Sequence, residues 1–182
     1  MRLLTEYCRF LNVTTNRDYA PYVYLDEWDE RCGNALSRGL RLSLHPHMFR
    51  PIQTLQEANA ILARFDANRY PNLQLLPDTA HLTIAGEDPV DVVKTQFDRI
   101  GAVHIKDWSP NVGRSYQFYA SGFCQLGQGE VELTAVLDVL WKRSFKGWIV
   151  VEQDYSASPY DCIVASMNWL RTKLPPTCFA SL

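Results

Sequence analysis

The chain has no run of lysine and arginine, no cysteines at CxxC spacing and no long apolar segment, and each absence removes a class of function. Its 18 basic side chains are outnumbered by 20 acidic ones, for a net charge of -2 at pH 7, so it lacks the electrostatic footprint that tracks phosphates. Nucleic acid is therefore not an expected partner. The cysteines, Cys8, Cys32, Cys124, Cys162 and Cys178, are odd in number and scattered, which favours free thiols over disulfides or a structural zinc site. No apolar run approaches the ~18 residues needed to cross a bilayer. The opening "MRLLTEYCRF" also lacks the apolar core of a secretory signal, so the expectation is a cytoplasmic protein with no membrane partner.

What is present fits one domain over residues 1–182. Short apolar runs alternate with longer amphipathic segments, the pattern of a parallel sheet covered by helices, and the fold class read from it is α/β. The expected strands are Phe10 to Thr15, Leu40 to His45, Leu73 to Asp78, Ala102 to Asp107 and Trp148 to Gln153. Between them, "TLQE" at Thr54 to Glu57 is a capping box, and "DPVD" at Asp88 to Asp91 puts Pro89 at the first helical position. "SPYD" at Ser158 to Asp161 repeats that logic. Two more helices are expected at about Leu25 to Ser37 and Glu132 to Arg143, with Gly39 and Gly147 just beyond their ends.

The unusual polar residues gather at the C-terminal ends of these strands. His45 and His47 end the second, Asp78 the third with His81 just beyond, His104 and Lys106 sit late in the fourth, and Glu152 and Asp154 end the fifth. Residues two apart on a strand share a face, so each of the pairs His45/His47, His104/Lys106 and Glu152/Asp154 can point one way. Any one of these positions alone reads as a hydrogen-bonded structural histidine or a turn acid. Turn chemistry does not predict that all four later strands end in His, Asp or Glu. A site assembled from several strand ends does, and the C-terminal face of a (β/α) barrel is where such sites form. Carboxylates and imidazoles without thiolate suit one divalent ion, Mn²⁺, Co²⁺, Mg²⁺ or Zn²⁺.

The stretch "PDTAHLTIAGEDPVDVVKTQFDRIGAVHIKD", followed by "LGQGEVEL" and "GWIVVEQD", resembles the xylose isomerase-like TIM-barrel superfamily of sugar isomerases and epimerases, most closely its inosose dehydratase-like branch. The resemblance runs from about Pro21 to Leu174. It implies one divalent metal held by His45, Asp78, His104 and Glu152; His47 is the alternative to His45, which lies nearer its strand. It implies substrate contacts from His47, His81, Lys106 and Asp107, and catalytic roles for Glu152, His81 and Lys106. Lys106 has a second reading, as the neutralising partner of Asp107 or Asp154. The implied substrate is a small sugar or cyclitol. Its carbonyl would be polarised, the neighbouring C–H proton removed, and the enediolate either reprotonated, in isomerisation or epimerisation, or emptied of a β-hydroxyl, in dehydration.

A complete eight-stranded barrel needs about 250 residues, whereas five strands are expected here. The resemblance therefore implies a partial barrel truncated at its N-terminus: either a fragment or mis-started product, or a half barrel completed by a second copy or by another polypeptide. A non-catalytic homologue that binds sugar or only assembles is the reading from another class. An AP endonuclease of the same superfamily would call for more strand-end ligands and a basic face.

Overall fold

The computed structural model describes residues 32–48, 50–65, 67–111, 122–154 and 156–179. In chain order these form helix α1 (residues 32–37), β1 (Leu42–Leu44), α2 (Leu55–Leu62), β2 (Leu73–Leu75), α3 (Thr79–Ile84), α4 (Pro89–Gln96), β3 (Ala102–Ile105), β4 (Asp107–Trp108), β5 (Phe123–Cys124), α5 (Leu133–Lys142), β6 (Trp148–Val151) and α6 (Pro159–Lys173). β1 pairs in parallel with β2, and β3 in parallel with β6. Two isolated parallel bridges, Leu75 to Ile100 and Asp78 to His104, join the two pairs. The order β1-β2-β3-β6 follows the chain, as expected for consecutive strands of a partial (β/α) barrel. The strand expected at Phe10 to Thr15 lies outside the described residues.

The helices begin where the sequence signals them. Thr54 accepts from the Glu57 backbone N–H while the Glu57 carboxylate accepts from the N–H of Thr54, a complete capping box. Asp88 caps α4 through the Val90 N–H, ahead of Pro89. In α5, Leu133, Val136, Leu137 and Leu140 recur at helical spacing and all are buried, which seats the helix on the sheet. No helix among the described residues is long and apolar enough to cross a membrane.

The structure corrects three local expectations. Asp107 does not close a parallel strand: β4 pairs antiparallel with β5, Asp107 opposite Cys124, so the chain leaves the sheet after Ile105 and returns through a small hairpin. A short helix, α3, starts immediately after Asp78 where a turn was the simple reading, because the Asp78 side chain accepts from the N–H groups of Ala80 and His81. After α5 the left-handed residue is Ser144, at φ 55°, and not Gly147. Gly147 is glycine because a Cβ there would stand 2.3 Å from the Gly101 carbonyl oxygen, where β3 and β6 begin their pairing.

Candidate metal centre and active site

Parallel pairing brings the strand-end residues together. The Asp78–His104 bridge places an acid and an imidazole on neighbouring strands, and β6 delivers Glu152 to the other side of His104. His104 Nδ1 lies 2.7 Å from Glu152 Oε2 and 3.7 Å from Asp78 Oδ2. Lys106, 1% exposed, reaches Glu152 Oε2 at 2.9 Å, Asp154 Oδ2 at 3.0 Å, Asp78 Oδ2 at 3.2 Å and His81 Nε2 at 3.3 Å. The His45 ring stands 5.1 Å from that of His104 and 5.4 Å from that of His47, which stacks on His81 at 3.6 Å. His45 Nδ1 contacts the Leu76 carbonyl oxygen at 3.2 Å, which fixes the ring against the end of β2.

These neighbours shift the titrations in opposite senses. Burial lowers His45 to about 4 and His81 to about 3, against the opposing pull of Asp78, so both imidazoles are neutral at pH 7. Burial would also lower His104, but Asp78 and Glu152 outweigh it and push it up to about 9. Burial acts to raise Glu152, and His104 and Lys106 more than offset this, holding it down to about 2. Desolvation of the fully buried Asp78 is likewise overcome, chiefly by Lys106, and its carboxyl stays well below the usual range.

The donor set fits a divalent cation. One nitrogen or oxygen each from His45, Asp78 and His104 lie within 4.8 Å of one another. Ligands of a single ion at ~2.0–2.2 Å lie at most about 4.4 Å apart, so the three donors are near enough to share one ion after drawing together. The buried Asp78 Oδ2 already faces cationic groups, with Lys106 Nζ at 3.2 Å and His104 Nδ1 at 3.7 Å, which is the condition of an oxygen suited to a cation. The ring nitrogens of His45, His47 and His81 likewise lie within 4.8 Å of one another, so both histidines of "LHPH" stand at the site.

Asp107, expected to face substrate, is not brought into this cluster. The N–H groups of Gly127 and Gly129 donate to its Oδ2 at 2.8 and 2.9 Å, and those of Trp108 and Val131 to Oδ1 at 2.9 and 3.3 Å. This accounts for the GxG of "LGQGEVEL". Gly127 sits at φ 85°, and a Cβ on Gly129 would stand 2.1 Å from Asp107 Oδ1. Of the two acids weighed as partners of Lys106, the structure puts Asp154 and not Asp107 beside it, together with Glu152 and Asp78.

Two contributors escape the sequence reading. Thr79 Oγ1 donates to the Lys106 carbonyl at 2.6 Å and accepts from its N–H at 2.9 Å, so a buried hydroxyl ties α3 to the backbone that carries the lysine. Phe123, from β5, packs its ring 5.5 Å from that of His81 and 5.0 Å from Lys106 Nζ, walling the cluster.

A family model described as xylose isomerase-like TIM barrel matches residues 15–173. An inosose dehydratase of Lactiplantibacillus plantarum is 32% identical over 155 residues, covering 76% of this chain and 50% of its own length. The chain spans about half the length of the curated relatives it matches. Among solved structures, the probable 3-DHS dehydratase AsbF from Bacillus anthracis superposes with a TM-score of 0.67 at 22% identity, over 81% of this chain and 55% of its own. The IOLI protein with a binding zinc atom does so with a TM-score of 0.63 at 20% identity, over 83% and 56%. These likenesses bear on the fold, and they agree with the parallel strand order and its helical cover. With the family match spanning every described strand, the chain belongs to the xylose isomerase-like TIM barrel family.

Proposed function

We propose that the site abstracts a proton next to the carbonyl of a cyclic polyol ketone and expels the hydroxyl of the following carbon, an inosose dehydratase-like reaction. The observation that carries this is the convergence of Asp78, His104, Glu152 and Lys106 from three neighbouring strands within 2.7–3.7 Å contacts. The names of the curated relatives supply the substrate class.

His45, Asp78, His104 and Glu152 would hold one divalent ion, with His47 beside them. The IOLI relative holds zinc. Such an ion polarises a carbonyl and stabilises the negative charge that develops on its oxygen. The rest falls to the chain's own side chains. Glu152, about one-third exposed and held as a carboxylate by His104 and Lys106, is the member open to substrate and the group to take the C–H proton. Lys106, its ammonium fixed by acids on several sides, supplies positive charge and a proton for the departing hydroxyl. His81, neutral and stacked on His47, accepts from a substrate hydroxyl, and Phe123 excludes water from that side.

The second reading, isomerisation or epimerisation, shares the first step and differs in returning the proton to carbon. Incubation of the metal-loaded chain with an inosose in D₂O tests both. Deuterium returned to the carbon beside the carbonyl identifies isomerisation or epimerisation, and an unsaturated ketone absorbing in the ultraviolet identifies dehydration. Absence of both outcomes with a stoichiometric ion bound contradicts the assignment and leaves a chain that binds without turning over.

A further inference from the structure

Lys106 is an unusual neighbour for a metal centre. A buried ammonium lies 3.2 Å from Asp78 Oδ2 and 2.9 Å from Glu152 Oε2, oxygens of the two carboxylates proposed above to hold the ion. Any cation bonded to those oxygens stands beside another positive charge, in a site with little water to screen it. Asp154 is the group that relieves this. Its Oδ2 meets Lys106 Nζ at 3.0 Å from three residues beyond the end of β6, with its side chain 28% exposed. The charges then close: Asp78, Glu152 and Asp154 carry three negative charges, and a divalent ion plus Lys106 carry three positive. Without Asp154 the only carboxylates left for the lysine are the ion's own ligands.

We propose that Lys106 and Asp154 act as a pair that sets the affinity of the metal site, Lys106 competing with the ion for Asp78 and Glu152 and Asp154 holding the lysine aside. Neither is a ligand: Asp154 is a positioning residue, and Lys106 keeps the proton-donating role given above. The inference rests on the metal centre proposed above and adds a direction that ordinary structural damage cannot produce. Removing the lysine makes metal bind tighter.

The experiment is a titration of the full chain with Zn²⁺ and with Mn²⁺ against a competing chelator, for the parent, Lys106→Met, Asp154→Asn and the double variant. Lys106→Met is expected to bind at least tenfold tighter and, metal-free, to melt at a lower temperature, since Asp78, Glu152 and Asp154 lose their shared cation. Asp154→Asn is expected to bind at least tenfold weaker. In the Lys106→Met background the same Asp154→Asn change should cost less than about threefold, because there is no lysine left to hold. Equal or weaker binding by a folded Lys106→Met overturns the proposal, as does an Asp154→Asn effect of the same size in both backgrounds. If Lys106→Met does not fold, Asp154→Asn alone decides: unchanged affinity overturns it. A parent chain that binds neither ion overturns both this inference and the metal centre. Binding by the parent with an unresponsive pair overturns only this one.

Discussion

Asp107→Asn separates the structure's account of this acid from a substrate-binding role. The carboxylate is 1% exposed, and four backbone N–H groups, of Trp108, Gly127, Gly129 and Val131, point at its two oxygens. Asparagine keeps the shape but offers one carbonyl oxygen, so either the glycine pair or the Trp108 and Val131 pair must face an NH₂. Two buried donors lose their acceptor, at about 1–3 kcal/mol each, and the working estimate is about 4 kcal/mol. Whole domains are stable by only about 5–15 kcal/mol, so the loss is a large share. At about 2–4 °C per kcal/mol for a chain of this size, the melting point should fall by about 8–16 °C. Urea unfolding followed by far-UV circular dichroism measures the change, with divalent metal bound as in the parent. A variant within about 0.5 kcal/mol of the parent would refute the reasoning and return Asp107 to the solvent-facing side of the site.

Thr79→Val, nearly isosteric, strands the Lys106 N–H and carbonyl together and should cost about 2–5 kcal/mol in the same assay, whereas a neutral effect would mean that the bridge from α3 is incidental. Burial acts to raise the Glu57 carboxyl, but the N–H groups of Gln53 and Thr54 hold it below its ordinary value of 4.5. A depressed folded pKa contributes stability that is present above the unfolded value and lost as pH falls through the folded one. Glu57→Gln should therefore flatten the acid limb of the stability curve below about pH 4.5, and an unchanged limb contradicts the capping role. Among the described residues β6 pairs on one side only, and sedimentation velocity is expected to show self-association through that edge; a single compact monomer would count against it.

Much of this site is legible in the sequence because parallel pairing is local in its consequences. Once "LQLLPD" and "AVHIKD" are neighbouring strands, Asp78 and His104 must lie at the same end, and the observed bridge between them is that register. The two-residue period likewise puts His104 with Lys106, and both side chains meet Glu152. What escapes is decided by contacts distant in the chain. Asp107 continues the apolar run as well as Lys106 does, and only the glycine loop 20 and 22 residues later claims its carboxylate. Phe123 comes from a strand of two residues, too short for any periodicity, and its partner β4 is set by the return of the chain. Ser144 takes a left-handed turn without glycine because Phe145 is pulled into the core behind it, where its N–H reaches the Leu140 carbonyl.

The central claim is that Asp78, His104 and Glu152, with His45, hold a divalent ion. Elemental analysis of the purified chain after dialysis in Zn²⁺ or Mn²⁺ tests it most directly. About one ion per chain is expected, with binding sharply weakened in Asp78→Asn, His104→Ala and Glu152→Gln, each of which removes a ligand from a small shell, and retained in His81→Ala. Full metal content in the three ligand variants, or none in the parent, would contradict the account.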